Sequence, residues 1–208
     1  MSVTCKELRE VLARSLGALP AHADELRDLD AALGDGDLGI TVSAGAAAVI
    51  KALDGLPEDA TVADILLSAG KAFSTANPST FAALTGGGLM AASKVMAGKT
   101  SVGKAEALEI GRAIAGRIAD RGKAKVGDKT VLDALIPSLD TLESSAGTAV
   151  EMLAAMIATA QQRVEETAGL QSQKGRAAWV QERSVGHADP GATAYLRFLV
   201  ALQAAFES

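Results

Sequence analysis

Apolar residues recur at helical spacing along almost the whole chain, and this repeat limits the possible fold more than any other feature. The first apolar stripe consists of Leu8, Val11, Leu12 and Leu16, and comparable stripes follow along the chain. The sequence has no sustained alternation with β-branched residues, so we expect no strands. Alanine and leucine, which both favour helix, supply most of the apolar content. We therefore predict an all-α bundle of eight or nine helices, forming a single domain over residues 1–208.

Capping residues and prolines divide this pattern into separate helices. Pro20 and Pro190 each predict the first position of a helix, the second one over 20–32 and the last one in the chain. Thr61, with an acid three positions later, predicts the N-cap of the fourth helix, and Asp128 predicts that of the seventh. The other predicted helices span 40–53, 62–75, 79–97 with a break at Gly86–Gly88, 103–120, 129–143 and 147–168.

Composition excludes several classes of protein. Of the 208 residues, 49% are hydrophobic and only 3% aromatic, and the formal net charge is −5. A chain with no basic run and few rings to stack on bases is not expected to bind nucleic acid. Cys5 is the only cysteine, which excludes an intrachain disulfide and a cysteine-based zinc site. With no signal peptide and no apolar run of membrane-spanning length, we expect a soluble cytoplasmic protein without a membrane partner.

The stretch GDGDLG (34–39) matches the glycine pattern G-x-G-x-x-G of dinucleotide-binding loops. That pattern is informative only between a strand and a helix, whereas here a helix precedes it. Two further segments, 93–100 and 98–105, approach the P-loop pattern. Ser93 replaces the first glycine of one segment, and Ala105 replaces the magnesium-binding hydroxyl of the other. We therefore reject both kinds of phosphate motif.

Three aspartates in and before this stretch, Asp30, Asp35 and Asp37, indicate a different chemistry. Mg²⁺ prefers carboxylate and phosphate oxygens, so a phosphate can lie beside carboxylates when a divalent cation lies between them. The neighbouring glycines allow the turns with positive φ that would bring the three carboxylates together. An Asp-Gly turn that only caps the next helix explains the same residues equally well, and both interpretations stay open at this point.

Longer motifs resemble one known family. LDAALGDGDLG (29–39) resembles the aspartate loop of the nucleotide-binding L subunit of dihydroxyacetone kinases. RGKAKVGDKTVLDALIPSLDTL (121–142) and KGRAAWVQERSVGHADPGAT (174–193) are similar to two further segments of that family. The three stretches occur in the family's order with fitting helices between them. The resemblance therefore covers essentially the whole chain.

The resemblance implies a set of site residues. Asp30, Asp35 and Asp37 match the family's metal-binding aspartates, which hold two Mg²⁺ ions on the phosphates of ATP or ADP. Arg176 matches a further nucleotide contact. Because a guanidinium presents a fixed fork of donors, we also predict that Arg176 is the catalytic cation for developing phosphoryl charge, with a surface salt bridge as the alternative. Lys129–Thr130 predicts the start of a helix rather than a pair of ligands. The other implied nucleotide contacts are Leu38, Gly39, Ile40, Thr41, Asp189, Pro190 and Gly191, with Gly122 and Val131 in the adenine pocket.

The family's fold is a closed barrel of eight antiparallel helices with the nucleotide site at one rim. Its implied activity is that of a kinase's phosphoryl-donor subunit, acting on dihydroxyacetone or a related small ketose. The family subunit works only with a partner that holds the sugar covalently through a histidine. Its donor is either ATP or a tightly held ADP that a phosphotransferase-system protein rephosphorylates, and a homodimer is compatible with this assignment. Two alternatives stay open, a non-catalytic Mg-ADP-binding interaction or regulatory module and a bundle that binds nothing.

The chain departs from the family pattern at two places. Leu38 replaces a histidine at the end of the aspartate loop, and NPSTFAALTGGG (77–88) stands where the family has a small, glycine-rich phosphate loop. Ser79 and Thr80 still offer hydroxyl and backbone N–H groups at a helix start, where anions bind, and Gly86–Gly88 is an alternative. Because the three aspartates are intact, we expect a divergent but functional kinase subunit.

Overall fold

The computed structural model describes residues 2–207, most of which lie in α-helices. The helices of this part of the chain are α1 (Cys5–Ala18), α2 (Ala23–Leu33), α3 (Leu38–Asp54), α4 (Val62–Ala76), α5 (Thr80–Val95), α6 (Lys104–Gly122), α7 (Val131–Ser144), α8 (Ala149–Ala168) and α9 (Pro190–Glu207). Two short strands, β1 (Val3–Thr4) and β2 (Ser101–Val102), pair antiparallel, and 3-10 helices cover Leu19–His22 and Arg176–Ser184. The all-α prediction is confirmed, with nine α-helices among residues 2–207, the higher of the two predicted numbers.

Several predicted details of these elements are wrong. Pro20 lies in a 3-10 helix, and α2 begins only at Ala23. The N-cap of α7 is Thr130 and not Asp128. Helix α5 continues through Gly86–Gly88 without a break. The two strands were not expected at all, because a pair of two-residue strands is too short to produce an alternating pattern.

Threonines define where four of the helices begin. Each threonine hydroxyl accepts a hydrogen bond from a backbone N–H of the first turn, and the acid three positions later accepts one from the threonine's own N–H. These reciprocal bonds satisfy N–H groups that have no partner inside the helix. The pairs are Thr4–Glu7, Thr61–Asp64, Thr130–Asp133 and Thr148–Glu151.

The order in which the helices pack returns to its starting point. Helix α1 packs against α3, each later helix packs against the next one, and α9 packs against α1. Helix α2 stands outside this cycle and contacts α3 and α9. A cycle of eight helices is the packing expected of the implied closed antiparallel barrel, which itself stays a prediction, as does the single domain.

Glycines allow α5 to run close to both of its neighbours. A Cβ atom on Gly70 of α4 would lie 2.7 Å from the carbonyl oxygen of Gly86, and one on Gly88 would lie 2.9 Å from Ile114 of α6. No side chain fits at these distances, so packing requires glycine there. The contacts stabilise α5 at residues whose intrinsic preference is to interrupt a helix.

The apolar core consists mainly of Leu, Val and Ala side chains in two large clusters. One cluster centres on α3 with α1 and α4, and the other centres on α7, α8 and the first part of α9. Within residues 2–207, none of the helices combines the length and the apolar character needed to cross a bilayer.

Candidate functional site

Four helices begin at one cavity of about 270 Å³. Its lining includes the first residues of α3, α5, α7 and α9, which are Leu38, Thr80, Val131 and Pro190. The last residue of α6, Gly122, also lines it. The first N–H groups of a helix lack intrahelical partners, and the helix dipole is positive at that end. The cavity is therefore electrostatically suited to an anion such as phosphate.

Most of the residues predicted for the site line this cavity. They come from α2, the loop before α3, the starts of α3, α5, α7 and α9, the end of α6, and the 3-10 helix after α8. The residues are Asp30, Asp35, Asp37, Leu38, Ser79, Thr80, Gly122, Val131, Arg176, Asp189, Pro190 and Gly191.

Three carboxylates form a cluster at one side of the cavity. Asp30, Asp35 and Asp37 each offer an oxygen atom, and these atoms lie within 4.8 Å of one another. Gly36, with φ 74°, turns the loop so that the aspartates on either side of it face the same region. Oxygen ligands at this spacing fit a hard divalent cation such as Mg²⁺. The donor set thus agrees with the predicted metal-binding role of the aspartates.

Asp30 also fixes the loop to the start of α3. Its Oδ2 accepts hydrogen bonds from the backbone N–H groups of Asp37 at 2.9 Å and Leu38 at 3.2 Å. Asp37 is the N-cap residue of α3, but its own side chain makes no capping bond. The carboxylate of Asp30 therefore caps α3 from the neighbouring helix, and Asp37 stays available for a ligand.

Three residues predicted to contact nucleotide, Gly39, Ile40 and Thr41, are not among those that line the cavity. Gly39 packs against the carbonyl oxygen of Ala23, so closely that a Cβ atom would collide with it. The side chain of Ile40 is turned to solvent and is 65% exposed. Thr41 is buried, and its Oγ1 accepts a hydrogen bond from Asn77 at 2.8 Å. The geometry therefore does not favour the side-chain contacts predicted for Ile40 and Thr41, and the predicted backbone contacts of this stretch stay a prediction.

The apolar wall of the cavity was only partly predicted. Leu84 and Ile118 line it together with Gly122 and Val131, and Phe81 lines it near the start of α5. Phe81 makes an edge-to-face contact with Phe73, with ring centroids 6.2 Å apart. Phe81 belongs to the stretch 77–88 that departs from the family pattern. Apolar residues at helical spacing, such as Leu84 and Ile118, carry no sequence signal that separates a cavity wall from the core. The side chains on this wall suit a flat apolar group.

The helix start predicted at Ser79 and Thr80 is confirmed, and the two residues have different roles there. Ser79 is the N-cap of α5, and its Oγ accepts a hydrogen bond from the N–H of Ala82 at 3.1 Å. Thr80 is the first residue of the helix and lines the cavity beside it. Gly86–Gly88, the alternative phosphate contact, lies farther along the helix and serves packing instead.

Arg176 reaches the cavity from the 3-10 helix that follows α8. Gly175 precedes it with φ 64°, a conformation that favours glycine. The Arg176 guanidinium forms an ion pair with the carboxylate of Asp35. Lys174 lines the same region, and its Nζ lies 3.9 Å from Oδ2 of Asp128. Two cationic side chains thus line this region of the cavity, although the sequence predicted only Arg176.

Asp189 is a buried carboxyl group at the start of α9. Its Oδ2 accepts a hydrogen bond from the N–H of Ala192 at 2.8 Å, which caps the helix that begins at Pro190. Burial raises the pKa of Asp189 to about 7, and the nearby charge of Asp133 adds to this effect. The charge of the Asp189 loop therefore depends on pH in the neutral range.

Lys129 is almost completely buried, with 1% of its surface exposed, and it lines the cavity beside α7. Its Nζ donates to three carbonyl oxygens, those of Ala168 at 3.1 Å, Leu170 at 2.8 Å and Ser184 at 2.6 Å. Burial lowers the pKa of this ammonium group, and Asp189 opposes that shift. The sequence itself predicted only a helix start at Lys129. A single lysine next to a capping threonine carries no signal of burial.

An all-α fold that gathers helix starts and three carboxylates around one cavity defines a candidate site for a metal and phosphate groups. Comparison with known proteins then gives the family. The DAK2 domain model matches residues 32–204, and the chain belongs to that family. The predicted kinship with the nucleotide-binding L subunit of dihydroxyacetone kinases is thereby confirmed.

Two curated relatives match over most of their length, and a third is a longer protein of which this chain spans about a third. The ADP-binding subunit DhaL of a PEP-dependent dihydroxyacetone kinase from Escherichia coli is 28% identical over 94% of this chain and 94% of its own. The corresponding subunit of kinase 2 from Listeria innocua is 35% identical over 86% of this chain and 84% of its own. The L-erythrulose 1-kinase of Mycolicibacterium smegmatis is 34% identical over 86% of this chain, which spans 32% of that longer protein.

Solved structures support the fold. The dihydroxyacetone kinase of C. freundii in its native form superposes with a TM-score of 0.75 at 24% identity, over 95% of this chain. The same kinase in complex with AMP-PNP and Mg²⁺ gives a TM-score of 0.73 at 24% identity, over 94% of this chain. This chain spans only about a third of that kinase, 34% and 33% in the two structures.

Proposed function

We propose that the chain is the nucleotide-binding, phosphoryl-donor subunit of a two-component kinase for dihydroxyacetone or a related small ketose. The observation that carries this proposal is the convergence of Asp30, Asp35 and Asp37 with four helix starts on one cavity. Anionic phosphates and cation-binding carboxylates are otherwise an unfavourable combination, and a metal between them resolves it. The names of the relatives point to the same chemistry, since several are ADP-binding subunits of dihydroxyacetone kinases.

The residues divide the work of phosphoryl transfer among them. Mg²⁺, as two ions in this proposal, supplies charge neutralisation on the phosphates of ATP or ADP. Asp30, Asp35 and Asp37 hold the metal, and the N–H groups at the start of α3 and α5 orient phosphate oxygens. The apolar wall beside Gly122 and Val131 receives the adenine. The start of α9 borders the same wall, since a Cβ atom on Gly191 would lie 3.7 Å from Val131.

Arg176 acts as the catalytic cation in this account. The γ-phosphoryl group leaves the ADP oxygen and bonds to a substrate hydroxyl oxygen, whose proton is released. Negative charge spreads over the equatorial oxygens during this step, and a guanidinium with fixed donors stabilises it. The ion pair with Asp35 supports the role, because it holds Arg176 beside the aspartates that would carry the metal.

The proposed partner is a second subunit that holds the ketose covalently through a histidine. The two most exposed large apolar side chains of the described residues support a contact beside the site. They are Trp179, 83% exposed, and Ile40, 65% exposed. Trp179 follows Arg176 by three positions, and Ile40 follows Leu38 by two. An exposed tryptophan is typical of an interface hot spot.

Two sources of the transferred phosphoryl group are compatible with the proposal. In one, ATP exchanges with ADP after each turnover. In the other, ADP stays bound and a phosphotransferase-system protein rephosphorylates it; one similar subunit, from Lactococcus lactis, belongs to a PTS-dependent dihydroxyacetone kinase. A slow release of ADP, measured by dilution of labelled ADP from the complex, would favour the second route.

The proposal is tested by assaying the chain with and without a ketose-binding kinase subunit, using dihydroxyacetone and Mg-ATP or a phosphorylated donor protein. We expect transfer only when both subunits are present, and we expect Asp35→Asn to abolish it. Robust transfer by the chain alone contradicts the two-component arrangement. Mg-ADP binding without transfer under any of these conditions favours the non-catalytic interaction module instead.

A further inference from the structure

The segment that carries Arg176 leaves the end of α8 and returns close to its starting point. We call residues 170–184 the arginine segment. Near its two ends, the backbone N–H of Ser172 donates to Oγ of Ser184 at 2.9 Å. Arg176 lies between these ends and reaches the cavity. The position of its guanidinium therefore depends on how firmly the ends of the segment are held.

Lys129 lies across both ends of the arginine segment. Its ammonium group donates to the carbonyl oxygens of Leu170 and Ser184, and the third bond goes to Ala168 at the end of α8. An ammonium group has three donors, so its hydrogen-bonding capacity is completely used. The carbonyl oxygens at the end of a helix carry partial negative charge, which favours a cation there.

The buried position and the backbone conformation of Lys129 both destabilise the folded chain. Burying a charged side chain is unfavourable unless its partners replace water, and Lys129 is only 1% exposed. Its backbone also adopts φ 60°, a left-handed conformation that is uncommon for residues other than glycine. Strain and buried charge of this kind concentrate at functional sites, where the surrounding structure enforces them.

We propose that Lys129 is a positioning residue for phosphoryl transfer, which closes the arginine segment and thereby fixes Arg176 at the cavity. This inference rests on the function proposed above. Lys129 acts through Arg176 and need not touch the substrate. Loss of its ammonium group frees the ends of the segment, and a displacement of the guanidinium by about 1 Å is enough to lower the rate about a hundredfold.

Lys104 provides a matched control. Its Nζ donates to the carbonyl oxygens of Glu143 at 2.8 Å and Ser145 at 2.5 Å, at the end of α7. It thus holds a helix end as Lys129 does, but it is not among the residues that line the cavity. Lys104→Met therefore measures how far kcat changes when a lysine that holds a helix end is lost for structural reasons alone.

The test uses the kinase reconstituted with its partner subunit and compares Lys129→Met, Lys104→Met, Arg176→Ala and the double variant of Lys129 and Arg176. We expect Lys129→Met to lower kcat about a hundredfold while the Kd for Mg-ADP changes less than about threefold. In the Arg176→Ala background, Lys129→Met should not lower kcat further, because the guanidinium that Lys129 positions is absent. Lys104→Met should leave kcat unchanged.

Hydrogen exchange separates this inference from the proposed function. In Lys129→Met, amides of residues 170–184 should exchange faster, with no such change in Lys104→Met. If the wild-type complex transfers no phosphate, the proposed function is wrong. If the amides of residues 170–184 exchange at the same rate in Lys129→Met as in the wild type, Lys129 does not hold the arginine segment and the inference is wrong. Equal losses of kcat in the wild-type and Arg176→Ala backgrounds overturn the positioning role.

A milder variant covers the case in which Lys129→Met does not fold. Ser184→Ala removes the Oγ that accepts from Ser172 and donates to Gln181, but it leaves the ammonium in place. We expect a smaller fall in kcat and faster exchange of the same segment, again without effect in the Arg176→Ala background. A loosened segment with unchanged kcat would count against the inference.

Discussion

Arg176 and Asp35 form an ion pair that joins the 3-10 helix after α8 to the loop after α2. Both side chains are about half exposed, 56% and 45%, so water screens the pair and it adds little to stability. The predicted catalytic cation therefore lies against a predicted metal ligand. A phosphate bound at the aspartates would lie within reach of the guanidinium.

Removal of Arg176 should lower the rate and leave stability nearly unchanged. For Arg176→Ala we expect kcat in the reconstituted kinase to fall on the order of 10²- to 10³-fold, the usual loss when one transition-state donor is removed. The free energy of unfolding should change by less than about 1 kcal/mol. Arg112→Ala removes a comparably exposed arginine, paired with Asp140 and Glu143, and serves as the control. Equal kcat values for the two variants would refute the assignment.

Two substitutions of Asp30 should separate its structural role from its role as a ligand. Asp30→Asn keeps an oxygen that can accept from the N–H groups of Asp37 and Leu38, whereas Asp30→Ala does not. We expect Asp30→Ala to lose about 1 kcal/mol of stability, as when a helix cap is removed, and Asp30→Asn to lose less. Both should lose the stabilisation by Mg-ADP, which urea unfolding with and without the ligands measures. Full retention of that stabilisation in Asp30→Asn would exclude Asp30 as a metal ligand.

Stability should depend on pH through Asp189. Its pKa of about 7 in the folded protein lies above the value of about 3.9 for an unfolded chain. The folded state therefore binds the proton more tightly, and the free energy of unfolding falls as pH rises from about 4 to about 7. Asp189→Asn removes this titration, so relative to the wild type it should be more stable at pH 8 than at pH 4.5. Parallel curves of unfolding free energy against pH for the two proteins would contradict the assignment.

Gly39 should tolerate no side chain. A Cβ atom there meets the backbone carbonyl of Ala23, which cannot move aside without separating α2 from α3. Gly39→Ala should therefore destabilise the protein by roughly 2–4 kcal/mol and disturb the aspartate loop. Gly116→Ala, in α6 with nothing within 4 Å of the added Cβ atom, should instead stabilise by about 0.5–1 kcal/mol. Urea unfolding of both variants checks the contrast, which a stable Gly39→Ala protein would contradict.

The elements that could be predicted from the sequence are those with a local cause. Thr61 and Asp64 form their capping box within four residues, and the apolar stripe of α4 follows directly, so both appear in the sequence. The prediction of a break at Gly86–Gly88 is wrong because contacts with neighbouring helices, and not the local sequence, stabilise α5 there. Gly86 and Gly88 bring α5 against its neighbours, and no local pattern reports such a contact.

The same distinction applies to the site. Asp30, Asp35 and Asp37 are close in sequence, so their convergence could be anticipated from one loop. Lys129 is held by carbonyl groups 39 and 55 residues away in the sequence, and its burial could not be predicted. The family resemblance supplied Arg176 as a candidate, but its ion pair with Asp35 required the fold.

The central claim is that the aspartate cluster binds a nucleotide through metal, and thermal unfolding tests it most directly. Wild type and Asp35→Asn are each heated without ligand, with Mg²⁺, with ADP, and with both. We predict that only the combination raises the Tm of the wild type, by an amount equivalent to about 2.7 kcal/mol at a hundredfold excess over the Kd. Asp35→Asn should show no such shift. An unchanged wild-type Tm in all conditions, or an equal shift in Asp35→Asn, would contradict the claim.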